Sequence, residues 1–195
     1  MRRLPLFVLP TILFPGTRMP LHIFEPRYRQ MAARCLESDK QFGLLFRAAH
    51  ADGEYNADDG GVGCVAYIEQ FQPLPDGRSL LIVEGRERFR VVDGIESDTL
   101  YHEALVEDYV DEGERAYDLA PRRQKSLALY AEALQKITGA PRAPSFDTAR
   151  DLSFQLADAM EVDAAWKQML LELRSESQRL DQIDMVLRAA LESDE

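Results

Sequence analysis

Five side chains in this 195-residue chain have the chemistry of a nucleophile, a general base or a soft metal ligand. They are His22, His50, His102, Cys35 and Cys64. Their spacing does not join them. Zinc needs imidazoles or thiolates held in close pairs, and there is neither an H-E-x-x-H nor a C-x-x-C. His22 lies in an alternating, strand-like stretch, His50 opens a polar loop, and His102 stands between Tyr101 and Glu103. A serine nucleophile of the hydrolase type would sit in G-x-S-x-G, and none is present. Gly61, Gly63 and Ala66 match a loose dinucleotide fingerprint. That fingerprint must open a helix, yet these residues run straight into the strand-like Val65-Ala66-Tyr67-Ile68. No phosphate loop of the G-x-x-x-x-G-K-[ST] type occurs. With 34 acidic residues, close carboxylate pairs arise by chance and identify no acid–base couple. The expectation is a protein that is not an enzyme and calls for no metal and no cofactor. The polar loop 50–61 has acidic residues, but its ligand spacing does not suit calcium.

The elements that would position any site fall into two classes. Up to residue 112 the pattern is mostly strand. Short apolar runs at 6–9, 18–24 and 42–47 precede two longer ones at 62–71 and 79–92, and a last strand covers 104–110 with either Ala104 or Leu105 inward. Between the two long strands stands Pro73-Leu74-Pro75-Asp76-Gly77, in which Asp-Gly predicts a hairpin because both residues tolerate positive φ. Gly85 interrupts the second arm where four apolar residues give way to alternating arginines, which predicts a bulge or a bend on a strand running from a buried centre to a half-exposed edge. One helix enters this region at Pro26, carrying Tyr28, Met31, Ala32, Cys35 and Leu36.

Beyond the polar segment 111–114 the period is helical. Leu127, Tyr130, Ala131, Leu134 and Ile137 form a stripe that ends at Gly139, and a proline-rich linker runs from Ala140 to Pro144. Asp147 and Asp163 suit N-caps of two further helices, and Ser175-Glu176-Ser177-Gln178 fits a capping box opening a last helix. The predicted domains are a β-rich unit at 1–112 and a helical bundle at 113–195, an α+β fold.

The net charge is -11, which disfavours sequence-independent nucleic-acid binding. The N-terminal apolar run is cut by Pro10 and is too short for a secretion signal, and no stretch has the length of a membrane span. A cytoplasmic protein with Cys35 and Cys64 as buried thiols is expected.

Several blocks, taken in order, resemble the substrate-binding N-terminal domain of Lon proteases. They are Leu4-Pro5-Leu6-Phe7-Val8-Leu9-Pro10, Leu13-Phe14-Pro15-Gly16 and Met19-Pro20-Leu21-His22-Ile23-Phe24-Glu25-Pro26-Arg27-Tyr28, then Gly61-Val62-Gly63-Cys64-Val65-Ala66, Asp76-Gly77-Arg78 and Val83 to Val91. In the helical part Lys167 to Leu173 and Ser177 to Leu180 look like the end of the same domain. The resemblance implies a PUA-like twisted β-barrel followed by a helical bundle. In Lon proteases an ATPase module and a peptidase follow, and this chain ends where they would begin. It therefore reads as a stand-alone member of the family, and no catalytic residue is carried over.

That resemblance implies a module binding unfolded or exposed polypeptide, as an adaptor in protein quality control or proteolysis, with a protease among its partners. Extended segments bind sheet edges and apolar grooves. The candidate contacts are Phe14, Met19, Phe71, Leu74, Arg86 and Arg88. Phe14 and Met19 also fit core positions, whereas Phe71 and Leu74 flank a hairpin tip. The alternatives are a PUA-like nucleic-acid binder, which needs a clustered arginine face, and a scaffold or oligomerisation unit built on the C-terminal helices.

Overall fold

Residues 62–68 are apolar on both sides of the strand, so both faces must be covered. The fold covers them with two separate cores. In a computed structural model, which describes residues 1–49, 55–56, 60–113, 116–139, 144–148 and 150–192, the chain divides into two units. The first comprises Met1–Val110 and Val162–Leu171, the second Asp111–Glu161 and Glu172–Glu195. His50, most of the polar loop at 50–61, the linker at 140–143 and residues 193–195 lie outside the described residues.

Six strands form the first unit's sheet: β1 (Arg2–Leu9), β2 (Arg18–Ile23), β3 (Gln41–Phe46), β4 (Val62–Pro73), β5 (Ser79–Ile95) and β6 (Glu103–Asp108). Their order is β2-β5-β4-β3-β1-β6, and β6 also pairs with β5. That last pairing closes a five-stranded barrel, with β2 left as an edge on the first half of β5. β1 and β3 are parallel and the other pairs antiparallel. One core holds Leu4, Leu6, Leu45, Val65, Phe89, Val91, Ala104 and Val106, drawn from the five barrel strands. The other gathers Phe7, Leu44, Cys64, Ala66, Ile68, Leu81 and Val83 from the opposite sheet face against Tyr28, Met31 and Cys35 of α1 (Pro26–Leu36). Successive residues of β1, β3 and β4 alternate between these cores, which explains the unbroken apolar run.

Gly85 lies at a bulge, as its sequence context predicts. Cys64 pairs with Arg88 and Ala66 with Gly85, so β5 has two residues facing one. The glycine is required by crowding. A Cβ there would fall on the Phe14 carbonyl oxygen, with the carbonyl carbon at 2.8 Å and Cys64 Sγ at 3.2 Å. Gly85 also accepts from the Gly16 N–H (2.8 Å) and donates to the Thr17 carbonyl (2.9 Å), pinning the loop before β2. The residues after Gly85 are half-exposed as expected, but they are not an edge. Beyond the bulge β5 is flanked by β4 and β6, while the half before it carries an outward face on which Leu80 is exposed. In β6 it is Ala104 that points inward.

α4 (Ala164–Glu172) starts at Asp163, whose carboxylate accepts from the Trp166 N–H (2.8 Å). Residues 162–171 belong to the β-rich unit despite their helical period. Gln168 Nε2 donates to the Val62 carbonyl (3.0 Å), and Arg88 Nη1 to the Leu171 carbonyl (2.7 Å). Division by secondary-structure class and division by contact thus do not coincide.

The second unit holds α2 (Ala116–Thr138), α3 (Leu152–Ala159) and α5 (Glu176–Glu192). Ser175 Oγ accepts from the Gln178 N–H (3.1 Å), as the capping sequence predicts. The expected cap at Asp147 is replaced by Asp151, whose carboxylate takes the Phe154 N–H, and Asp147 bonds Gln155 through its backbone. In α2 Leu119, Ser126, Tyr130 and Ala133 are buried, and Ile137 of the expected stripe is exposed. Arg179 of α5 is fully buried. Its five N–H groups reach Ser153 Oγ, the Leu173 carbonyl, both oxygens of Asp111 and one of Asp151, over the Phe154 ring. Burial alone would loosen the guanidinium's proton, but the two aspartates more than offset this and hold its pKa up.

Candidate binding groove

The chemistry-bearing side chains remain apart from any shared site. Cys35 and Cys64 are free and buried. Desolvation pushes the Cys35 thiol up to about 12, with Asp39 and Glu103 adding to it, and burial pushes Cys64 up as well. A nucleophilic cysteine needs the opposite shift. His22 is exposed on β2, its ring 5.7 Å from Phe24, and His102 lies edge-on to Tyr55 at 5.3 Å. Gly63 and Ala66 sit within β4, so the fingerprint-like glycines open no helix. Among the described residues no three His, Cys, Asp or Glu side chains gather as a metal site, and no helix is long and apolar enough to cross a membrane.

A groove of about 790 Å³ lies between α1 and the β4–β5 hairpin. Ala32, Ala33 and Leu36 form its helix side, and Phe71, Pro73 and Leu74 its strand side. The elements dictate this pairing. Ile68 N–H bonds the Lys40 carbonyl just past the helix end (2.9 Å), and at the hairpin tip the Arg29 guanidinium packs on Gly77. β4 therefore runs antiparallel to α1 along the groove.

The tip is a hairpin, as Asp76-Gly77 predicts. Gly77 N–H bonds the Leu74 carbonyl (3.0 Å), Leu74 N–H bonds the Arg78 carbonyl (2.8 Å), and of the tip residues Gly77 alone has positive φ, +80°. This is a three-residue loop with Pro75 opening a type I turn and glycine in the left-handed position. Asp76 caps it by accepting from Arg78 N–H (3.1 Å) and Nε (2.7 Å), and the Arg78 hydrogen bond holds its carboxyl below the usual range.

The six candidate contacts separate into four groups. Phe71 is 42% exposed and Leu74 half-buried, and both line the groove. Met19 is half-buried and packs against the core beneath the sheet. Phe14 is 0% exposed, and Arg88 is 5% exposed with its guanidinium on the Leu171 carbonyl and the Tyr109 ring. These last two are corrections: the loop carrying Phe14 is clamped by Gly85, and the bulge turns Arg88 inward while leaving Arg86 out. Arg86 is exposed, paired with Glu84 at 2.8 Å and set over Tyr67. The groove also presents Arg29, Gln30 and Glu37, which the sequence pattern did not single out. A charged face on a half-buried helix is ordinary, and only the position of the hairpin makes these residues a rim.

A sequence model described as the ATP-dependent protease La (LON) substrate-binding domain matches residues 3–188. This chain belongs to the Lon substrate-binding domain family. It is 29% identical to Lon protease 2 of Herpetosiphon aurantiacus, over 94% of this chain and 24% of that protein. It is 35% identical to a LON peptidase N-terminal domain and RING finger protein of Schizosaccharomyces pombe, over 65% of this chain and 28% of that protein. The chain thus spans about a quarter of the length of these relatives. Among solved structures it superposes on a Lon N-terminal domain protein from Xanthomonas campestris with a TM-score of 0.67 and 25% identity, covering 94% of this chain and 97% of that one. The N-terminal domain of the Mycobacterium avium complex Lon protease gives a TM-score of 0.72 at 19% identity, covering 96% and 98%, and shares the fold. The 195 residues hold a Lon N-terminal α+β fold and neither an ATPase nor a protease domain.

Proposed function

We propose that this Lon-type domain is a non-catalytic module that binds extended, exposed polypeptide segments in the groove between α1 and the β4–β5 hairpin, and that it serves as a cytoplasmic adaptor in protein quality control or proteolysis. One observation carries the reading. The groove sets an exposed aromatic, Phe71, beside Leu74 and Leu36, with the charged side chains of Arg29, Glu37 and Arg78 around them. An apolar side chain seated there would leave water, and its neighbours in an extended chain would stay solvated. As a working division we take residues 1–112 as the recognition subdomain and 113–195 as the helical one. Phe71 and Leu74 are the proposed central contacts, and Met19 and Arg86, which do not line the groove, are proposed only as outlying ones.

A nucleic-acid reading gains no comparable support. The arginines of the barrel wall stand against carboxylates: Arg2 on Glu87, Arg18 on Glu69, Arg86 on Glu84 and Arg90 on Glu107. Such pairs offer phosphates little free charge.

The test is anisotropy of a labelled, permanently unfolded polypeptide titrated with the full chain, beside the same polypeptide folded. Saturable binding to the unfolded form is expected, weakened roughly tenfold or more by Phe71→Asp, since a charge must then be desolvated. Equal binding of both forms, or binding indifferent to Phe71→Asp, would refute this use of the groove.

A further inference from the structure

The groove carries a charge at each end. Arg29 and Glu37 lie on one row of α1, two turns apart, and both line the groove. Neither side chain has a hydrogen-bond or ion-pair partner among the described residues, whereas Arg78 on the same rim is neutralised by Asp76 (2.6 Å). Both are also placed against the helix dipole. The N-cap Glu25 is held by Arg27 (2.7 Å), the first turn of α1 has no acidic residue, and Arg29 follows close behind it, while Glu37 is the C-cap. A cation near the N-terminus and an anion at the C-terminus each cost a helix some stability. Arg34 in the last turn does not neutralise Glu37, because its guanidinium is directed to the Tyr101 hydroxyl (3.2 Å). Two unneutralised charges, each in the unfavourable position, flank the apolar floor made by Leu36, Phe71 and Leu74.

We infer that the groove selects extended segments in which an acidic, an apolar and a basic residue occupy alternate positions. The inference rests on the polypeptide-binding reading above and names the class of segment. Eight helical residues rise about 12 Å between Arg29 and Glu37. In an extended chain residues i and i+4 are about 13 Å apart and point the same way, as does i+2 between them. An acid at i then meets Arg29, a basic residue at i+4 meets Glu37, and the apolar side chain at i+2 enters between Phe71 and Leu36. The reverse chain direction satisfies the same spacing, so the groove reads charge spacing rather than polarity. Residues i+1 and i+3 face water and are unspecified.

The test grafts five-residue variants into one permanently unfolded carrier polypeptide and measures the full chain's affinity for each. The variants are Asp-Ser-Leu-Ser-Lys, Asp-Ser-Leu-Ser-Asp, Lys-Ser-Leu-Ser-Lys and Ser-Ser-Leu-Ser-Ser. The mixed-charge carrier is expected to bind roughly three- to tenfold tighter than the neutral one, as for two exposed ion pairs, with the gap closing at high salt. Arg29→Glu should move the preference to the two-lysine carrier, and Glu37→Lys to the two-aspartate carrier. Equal affinity for all four carriers, unmoved by either reversal but lost with Phe71→Asp, would overturn the charge selection and leave the groove as the binding site. No binding of any carrier would overturn both.

Discussion

Gly85 shows how one residue fixes the geometry on which the rest depends. It accepts from Gly16, donates to Thr17 and leaves room for the Phe14 carbonyl, so the loop entering β2 is set by the absence of a side chain. The obstacle to a methyl group is backbone and cannot rotate away. Gly85→Ala is therefore expected to cost about 3 kcal/mol, at the upper end for overpacking, measured by urea unfolding against the unaltered chain. A loss below about 0.5 kcal/mol would mean that the Phe14 loop shifts freely. The same crowding explains why Phe14, a candidate contact that also fitted a core position, belongs to the core.

Elements were legible where one face or both had a simple destination. Helix α1 follows from Pro26 and the spacing of Tyr28, Met31, Ala32 and Cys35, and β4 from its unbroken apolar run. The first half of β1 was not legible. Arg2-Arg3-Leu4-Pro5 has no strand pattern of its own and is a strand because β6 pairs with it. Nor could alternation reveal that Arg88 turns inward at a bulge, or that α4 returns to the β-rich unit to supply the Leu171 carbonyl. Of the groove, the sequence pointed to Phe71 and Leu74 through the hairpin tip, while Arg29 and Glu37 gained meaning only from α1's place beside it. Arg179 belongs here too, because nothing in its sequence context showed that it ties the start of α5 to Asp111 and Asp151. Arg179→Met would leave those two aspartates facing each other without a cation. It is expected to destabilise the helical unit by roughly 3 kcal/mol, read as an earlier loss of helical circular dichroism in urea. An unchanged midpoint would show that the network contributes specificity without stability.

At the scale of the whole molecule, the β-rich unit is discontinuous in sequence. The chain leaves it at residue 110, comes back for 162–171 and leaves again. The barrel's closure through β5 and β6 removes most free edges, which leaves β2, whose outer ladder Pro20 interrupts, and the distal half of β4, which pairs only with β5 and lines the groove. The central claim is that an exposed polypeptide occupies this groove. Hydrogen exchange of the full chain, with and without a saturating unfolded polypeptide, tests it most directly. Protection gained at residues 29–37 and 70–78, and little elsewhere, is the predicted result. Protection confined to α2 and α5, with the groove segments unchanged, would contradict it.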